Sequence, residues 1–265
     1  MDNLDKLEDE SIYIIREAYD HFRDVALVWS VGKDTTTLLW LIRKAFRGVI
    51  PFPVIHIETG REFPEIYDLR NRLSREWDFS LIVGRNEGEI ARGMGPQKGL
   101  KTDCCTELKT YALQEVVVKN GFRALFLGDR EDDRDLPTLD HPCSLRDERF
   151  PRSDENHPPE TGNPFQAFGD EEETFRVHPI FHFSELDVWR YIKRESLPVL
   201  NLYFSREGKR YPSIRCVPCC SPIDSSAATL DEIIAEVRAS KDSGNAGKAV
   251  GQKNRHPLGP FRAMG

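Results

Sequence analysis

Residues 25–35 read VALVWSVGKDT, and this stretch decides the fold. Its first five residues are apolar and rich in valine, so they predict a buried strand. Gly32 and Lys33 follow, and a helical pattern then extends from Thr35 to Phe46. A strand, a short glycine loop and a helix in this order are typical of an open parallel sheet, in which ligands bind at the carboxyl ends of the strands.

The same alternation of short apolar runs and longer periodic segments continues through the first two-thirds of the chain. It predicts an α/β protein with an open, mostly parallel, doubly wound sheet. Pro64 is expected in the first turn of a helix, because a proline there forfeits only an amide that has no helical partner. The predicted strands are 25–29, 53–57, 79–83, 124–127 and 177–181, and the predicted helices are 7–22, 35–46, 105–119 and 184–195, with others opening at Pro64 and Thr229.

Composition narrows the class of protein. A chain of 265 residues with 39% apolar residues can bury a full core. The 44 acidic and 37 basic residues give a net charge of −7, which argues against a free-standing protein that coats nucleic acid. No apolar run approaches the roughly 18 to 20 residues of a membrane-spanning helix, and the first ten residues are acidic rather than signal-like. We therefore expect a soluble, cytoplasmic protein with no membrane partner.

The loop after the first strand has the parts of an anion site. Gly32 allows a tight turn, the free amides at the helix start point at an anion, and Lys33 adds a positive charge. Three threonine hydroxyls in the first helical turn favour this interpretation over a plain turn between two elements. The expected ligand is a polyphosphate, held by Ser30, Val31, Gly32, Lys33, Asp34 and Thr35.

Three parts are expected along the chain. Residues 1–200 form a nucleotide-binding α/β domain, in which segment 129–176 is either a long active-site loop or partly disordered. Residues 201–240 form a cysteine-containing helical extension. Residues 241–265 form a basic, flexible tail with five Lys or Arg against one Asp, which is a local candidate for contact with phosphates. On the second strand, His56 either orients a nucleotide or is packed and hydrogen-bonded within the sheet.

Six cysteines are too few for a disulfide scaffold in a chain of this length, so their clustering indicates metal binding or redox use. Cys104 and Cys105 adjoin, and Cys216 and Cys219 form a second pair far along the chain. Four converging thiolates suit an iron–sulfur cluster, and a tetrahedral zinc ion accepts the same ligands. The alternative is that these cysteines are small apolar core residues. The two that remain, each a sulfur carrier or an inert thiol, are Cys143 and Cys220.

The loop at residues 30–35 resembles the pyrophosphate loop of the adenine-nucleotide α-hydrolases. Residues 56–67, HIETGREFPEIY, are similar to the second-strand motif of phosphoadenylyl-sulfate reductases and of the small subunit of bacterial ATP sulfurylase. Residues 10–17, 144–150, 177–180 and 187–192 resemble that sulfurylase subunit specifically.

This resemblance implies attack on the α-phosphate of ATP, with release of pyrophosphate and adenylylation of an acceptor. The loop would hold the β- and γ-phosphates, Mg²⁺ would neutralise the developing charge, and Lys33 would stabilise the leaving pyrophosphate. The family also carries an arginine-bearing loop after the fourth strand. Residues here that match it are Gly128, Arg130 and Arg134, whose arginines can fork two bonds to phosphate oxygens. The alternative for Arg134 is a solvated charge on a loop.

The cysteine pattern resembles that of adenylyl-sulfate reductases, in which a Cys-Cys pair and a downstream Cys-x-x-Cys hold a [4Fe-4S] cluster. Those reductases end in a redox-active cysteine, and no cysteine follows Cys220 here. The sulfurylase subunit lacks the Cys-Cys pair. An ATP-cleaving loop joined to a cluster site resembles instead the ATP pyrophosphatases of DNA phosphorothioation systems.

DNA phosphorothioate modification is therefore the expected function, with a cysteine desulfurase as sulfur donor and a separate DNA-binding subunit as partners. The alternative is a sulfate adenylyltransferase small subunit with a GTPase large subunit, and a reductase of adenylyl sulfate is the third possibility. The sequence also leaves a homodimer open.

Overall fold

The computed structural model describes residues 2–96, 104–132, 143–144 and 174–242. Its helices are α1 (Asn3–Phe22), α2 (Lys33–Ala45), α3 (Pro64–Glu76), α4 (Glu87–Ala91), α5 (Tyr111–Asn120), α6 (Glu185–Glu195) and α7 (Leu230–Asp242). Its strands are β1 (Val25–Val28), β2 (Val54–Ile57), β3 (Leu81–Gly84), β4 (Ala124–Phe126), β5 (Cys143–Ser144), β6 (Phe175–Val177), β7 (Lys209–Arg210) and β8 (Ile223–Asp224). The predicted tail, most of the predicted long loop and Arg134 lie outside the described residues.

Six of these strands form one sheet in the order β3-β2-β1-β4-β6-β5. The first five are parallel, and β5 runs antiparallel to β6 at one edge. The register aligns Leu27 of β1 with Val54 of β2 and with Phe126 of β4. The carboxyl ends of β1, β2 and β4 consequently lie side by side, which is where an open parallel sheet binds its ligands. The predicted fold class is confirmed.

Alternating side chains of the central strands build a core on each face of the sheet. Val25 and Leu27 point to the larger core with α1, α2, α3 and α6, whereas Ala26 points to a smaller core with α5. Helices on both faces bury the central strands, so these strands are apolar at successive positions rather than alternating with polar residues. Within the described ranges, no helix is both long and apolar enough to cross a bilayer.

Local sequence signals set several helix ends. Pro64 is the first residue of α3, as predicted. Ser184 caps α6 by accepting a hydrogen bond from the Asp187 amide, and the Asp187 side chain accepts one from the Ser184 amide in return. Gly121 ends α5 in the left-handed conformation, at φ 67°, which glycine adopts without steric cost.

Two predicted elements differ from the structure. The strand predicted at 177–181 lies earlier, at β6, because the chain after Val177 turns, with the Phe181 amide donating to the His178 carbonyl. Helix α1 begins four residues before the predicted start, because Asp2 and Asp5 form a capping box there. The other predicted strands and helices are present with ends shifted by one or two residues, except that α5 begins six residues after the predicted start at Cys105.

The predicted cysteine-containing extension holds β7, β8 and α7, with a short 3-10 turn at Val217–Cys219. The predicted helix at 105–119 also contains an irregularity. Residues Thr106–Thr110 form a π-helical stretch before α5. This conformation is rare in proteins, and where it occurs it is often at a functional site.

Candidate functional site

The β1–α2 loop, residues 29–32, turns sharply at the carboxyl end of β1. Val31 adopts φ 64°, in the left-handed region, with its side chain buried in the larger core. Gly32 is the N-cap of α2 and has no side chain to bond the first amides of the helix. No N-cap side chain therefore bonds the start of α2, and a helix start of this kind favours an anion.

Lys33 is the first residue of α2, and only 5% of its surface is exposed. Its ammonium Nζ lies 3.2 Å from Asp34 Oδ2 and 3.5 Å from Glu185 Oε1, and 5.9 Å from the centre of the Trp189 ring. The backbone amide of Lys33 donates a 2.9 Å hydrogen bond to the Tyr203 hydroxyl. The loop lysine is thus held in one place by two carboxylates and an aromatic face.

Gly128 and Arg130 follow β4 and reach the same place. A side chain at Gly128 would put a Cβ 2.7 Å from Thr35 Cγ2 and 3.2 Å from the Thr35 Cα, so glycine allows the close approach of α2 to this strand end. Arg130 is 2% exposed, and its guanidinium bonds the Asp34 carboxylate and, at 2.9 Å, Asp132 Oδ1. The structure therefore brings Arg130 and Lys33 to the two oxygens of one carboxylate, Asp34.

The other loop residues that the sequence singled out surround these cations. Ser30 and Thr35 share a hydrogen bond of 3.1 Å between their hydroxyls across the loop. His56 lies on β2 with 3% of its surface exposed, and its Nδ1 donates to the Trp29 carbonyl at 2.9 Å. Burial lowers the pKa of His56, which keeps the ring neutral, and its Nε2 has no partner among the described residues. Its role towards a nucleotide stays a prediction.

Lys33 and Arg130 lie among carboxylates. Their partners within the described residues include Asp34, Asp132 and Glu185. These ion pairs offset part of the cost of burying the two cations. An incoming polyphosphate can compete with the carboxylates for these cations, which gives the site the chemistry of a phosphate clamp.

Four cysteines line a second site, which we call the thiol pocket. Its thiols come from two distant segments, one beginning at Cys104 and one at Cys216. Among the described residues, no group of three or more His, Cys, Asp or Glu side chains is arranged to hold a metal ion. The pocket is lined by Thr59, Arg61, Pro96, Cys104, Cys105, Leu108, Lys109, Cys216, Pro218 and Cys219.

The loop after β2 joins the two halves of the thiol pocket. The Arg61 carbonyl accepts a 2.8 Å hydrogen bond from the Val217 amide, and the Thr59 hydroxyl lies 3.3 Å from Cys216 Sγ. Glu62 fixes this loop by accepting bonds from the Thr59 amide and from the Tyr67 hydroxyl. These hydrogen bonds lower the pKa of Glu62, although burial opposes them.

Two thiols of the thiol pocket, those of Cys104 and Cys105, have raised pKa values. Burial raises the pKa of Cys104 and Cys105, and the neighbouring thiols raise it further. Lys109 is half-buried beside them, and although desolvation alone would lower its pKa, attraction to Cys216 and Cys105 raises it. Lys109 therefore keeps a positive charge next to the sulfur atoms.

Comparison with protein families shows which family the chain belongs to. The model of the phosphoadenosine phosphosulfate reductase domain matches residues 24–222, which include the β1–α2 loop and all four cysteines of the thiol pocket. The chain belongs to this family. The prediction of its membership, made from the β1–α2 loop and from residues 56–67, is confirmed.

Two relatives that align over nearly the whole chain have the same name. The sulfate adenylyltransferase subunit 2 of Colwellia psychrerythraea is 33% identical over 94% of this chain and 93% of its own length. That of Zymomonas mobilis is 33% identical over 94% and 92%. Among solved structures, the phosphoadenylyl-sulfate reductase of Candida auris covers 83% of this chain and 98% of its own, at 16% identity and a TM-score of 0.57, and so shares the fold.

The prediction of DNA phosphorothioate modification is wrong. Relatives aligned along 94% of the chain are named sulfate adenylyltransferase subunit 2, which supports the alternative instead. The desulfurase and DNA-binding partners expected with that function lose their support too. The prediction gave four cysteines more weight than the sulfurylase-like segments, although those segments extend through much more of the chain. The broader prediction of an enzyme that acts on a nucleotide is confirmed.

Sequence reasoning missed several residues that the fold brings to the two sites. Glu185 fell only within the predicted helix 184–195 and Arg61 only within segment 56–67, and Tyr203 was not singled out. Glu185 and Tyr203 reach Lys33 from positions more than 150 residues away along the chain. A pattern in the sequence does not reveal contacts at such separations.

Proposed function

We propose that this chain is the small subunit of a sulfate adenylyltransferase, which joins sulfate to the α-phosphate of ATP and releases pyrophosphate. The observation that carries this proposal is the 33% identity to proteins of that name over 94% of the chain. The paired cations at the carboxyl ends of β1 and β4 suit this chemistry, because the leaving group is a polyanion.

In the proposed reaction a sulfate oxygen attacks the α-phosphorus. A bond forms between that oxygen and the phosphorus, and the bond from the α-phosphorus to the bridging oxygen of the β-phosphate breaks. Pyrophosphate leaves with the electron pair, and no atom is oxidised or reduced. Lys33 and Arg130 would stabilise the charge that develops on pyrophosphate, and the amides at the start of α2 would orient it.

Magnesium would enter this site with the nucleotide. Mg²⁺ is commonly bound through substrate phosphates and one or two carboxylates, and it keeps several waters. Asp34 and Glu185 offer carboxylates beside Lys33. As the phosphates take over Lys33, these carboxylates become available to such an ion or to its waters.

The thiol pocket is the proposed site of a [4Fe-4S] cluster. The residues fit in number and type, since Cys104, Cys105, Cys216 and Cys219 supply four sulfurs around one pocket. A cluster with four thiolates is an anion, and Lys109 and Arg61 line the same pocket as cations. When bound, such a group would supply electron transfer or a rigid anchor between the two cysteine segments.

Metal analysis tests the cofactor. Protein purified without oxygen should be brown and should contain iron and acid-labile sulfide, and Cys105→Ser should lose both. The matched control is Cys220→Ser, because Cys220 lies outside the pocket lining and its sulfur accepts the Arg215 amide at 2.9 Å. A colourless protein with stoichiometric zinc would replace the cluster with a zinc site.

A second subunit is part of the proposal. The relatives are named as subunit 2 of their enzyme, so we expect this chain to act together with a larger subunit. The resemblance to the bacterial sulfurylase suggests that this partner is a GTPase. Copurification of the chain with its large subunit tests the assembly.

Release of pyrophosphate tests the function. With the large subunit present, sulfate should stimulate pyrophosphate release from ATP, and adenylyl sulfate should accumulate. Lys33→Ala should lower that rate at least about a hundredfold, by removing a positioned charge. Lys44→Ala is the matched control, because Lys44 is a part-buried lysine on the same helix that bonds Glu8 and Glu195 instead. Pyrophosphate release at the same rate without sulfate would contradict the proposal.

A further inference from the structure

The Tyr203 side chain reaches the start of α2 from a distant segment. It ends the 3-10 turn Asn201–Tyr203, is 2% exposed and packs edge-on against Trp189 at 5.2 Å between ring centres. Its hydroxyl accepts the Lys33 amide at 2.9 Å and lies 3.6 Å from the point where a Cβ on Gly32 would be. The phenol oxygen therefore lies at the β1–α2 loop, where the proposed function places pyrophosphate.

The hydroxyl proton of Tyr203 has no acceptor among the described residues. One lone pair of the oxygen receives the Lys33 amide, and no hydrogen bond donated by this hydroxyl is formed there. The neighbouring Trp189 is fully buried, and its indole N–H also has no partner among the described residues. A buried donor without an acceptor is unfavourable, so both groups favour an acceptor that enters from outside the protein.

We propose that Tyr203 donates its hydroxyl proton to an oxygen of the pyrophosphate group held by the β1–α2 loop. The hydroxyl would accept a hydrogen bond from the Lys33 amide and donate one to the anion, so it would link the two groups. Tyr203 would then join Lys33 in holding the leaving group. This inference rests on the proposed function, since it assigns one more contact to the same phosphate site.

Two features indicate that Tyr203 would donate a hydrogen bond to the anion rather than be displaced by it. The phenol stays neutral, because burial raises its pKa and outweighs the opposing effect of Lys33, so it remains a donor at any physiological pH. Its ring is also enclosed by the larger core, which includes Trp189 and Leu200, so the side chain has little room to leave. A donor held in this way is preorganised for an anion.

Binding of pyrophosphate to the full chain tests the inference. Calorimetry with inorganic pyrophosphate and Mg²⁺ should show about tenfold weaker binding for Tyr203→Phe, which keeps the ring and removes the donor. Tyr191→Phe is the matched control, because Tyr191 is equally buried but donates to Glu8 at 2.7 Å, and it should bind as the wild type does. Thermal unfolding of each variant shows whether the fold is intact.

Other outcomes are equally clear. Unchanged binding by a folded Tyr203→Phe would overturn the inference, and tighter binding would show that the hydroxyl occupies the anion position and has to leave it. If that variant does not fold, a difluorotyrosine placed at position 203, measured in slightly acidic buffer, is a stronger donor. It should tighten binding, and unchanged or weaker binding would overturn the inference.

The same data separate this inference from the proposed function. Weaker pyrophosphate binding by Tyr203→Phe would support the Tyr203 contact even where sulfate fails to stimulate the wild-type enzyme, so that only the sulfate reaction is lost. A wild-type chain that does not bind pyrophosphate would overturn both. Sulfate-stimulated release with an unaffected Tyr203→Phe variant would overturn the Tyr203 contact alone.

Discussion

Val31 combines a buried side chain with a backbone conformation that valine rarely adopts. Its φ of 64° lies in the left-handed region, which is unfavourable by about 1–2 kcal/mol for a residue with a Cβ. Burial of the side chain in the larger core offsets this strain. The strained turn lies directly before Gly32, the N-cap of α2.

This conformation predicts that glycine is a more stable replacement than alanine at position 31, the reverse of the usual order. In urea unfolding, Val31→Gly should be more stable than Val31→Ala by about 1 kcal/mol, since both lose the buried side chain but only glycine relieves the strain. The control pair is at Val25 of β1, which is equally buried without positive φ, and there the alanine variant should be the more stable. The same order at both positions would contradict the strain.

His56 predicts a dependence of stability on pH. Burial lowers its pKa below the usual 6.5, so the unfolded chain binds a proton more readily than the folded chain does. The stabilisation that neutral His56 contributes is therefore complete above about pH 6.5 and is lost as the pH falls below that value. His56→Gln, which can still donate to the Trp29 carbonyl, should lose less stability than the wild type between about pH 7.5 and 5.5 in urea unfolding. Equal losses would contradict a neutral His56.

At the level of helices and strands, Gly128 determines how closely α2 approaches β4. A Cβ at this position would meet backbone atoms of Thr35, which cannot rotate away. Gly128→Ala should lower the free energy of unfolding by about 1–3 kcal/mol and weaken pyrophosphate binding. Gly88→Ala on α4 is the control, because the nearest atom to its Cβ would be the Asn86 side-chain oxygen, 3.7 Å away, and it should be neutral or slightly stabilising. Equal stability of both variants would contradict this packing.

The sequence predicts elements where the signal is local. Pro64 begins α3 as predicted, and Gly121 and the pair of Ser184 and Asp187 mark helix ends through hydrogen bonds between residues close in the sequence. The strand predicted at 177–181 was misplaced, because its apolar residues continue into a turn after Val177. Apolar composition does not distinguish the last residues of a strand from a buried turn.

Across the whole molecule, the predicted part of the site depends on residues close together in the sequence, whereas the missed part depends on tertiary packing. Ser30 to Thr35 are consecutive, so a single stretch of sequence reveals the loop, and Arg130 follows the fourth strand at a predictable place. Tyr203 and Glu185 depend on how a later segment packs against α2, which is a property of the tertiary structure. The four cysteines of the thiol pocket are intermediate, because their pairing was visible but their common pocket depends on the loop after β2.

The position of ATP cleavage tests the central claim most directly. The assembled enzyme should be given sulfate and ATP that carries a radioactive label in its terminal phosphate, and the products separated before any further hydrolysis. Attack at the α-phosphate predicts that the label appears in pyrophosphate, in an amount equal to the adenylyl sulfate formed. Label in inorganic phosphate, together with ADP, would mean cleavage at the terminal phosphate and would contradict the role assigned to Lys33 and the β1–α2 loop.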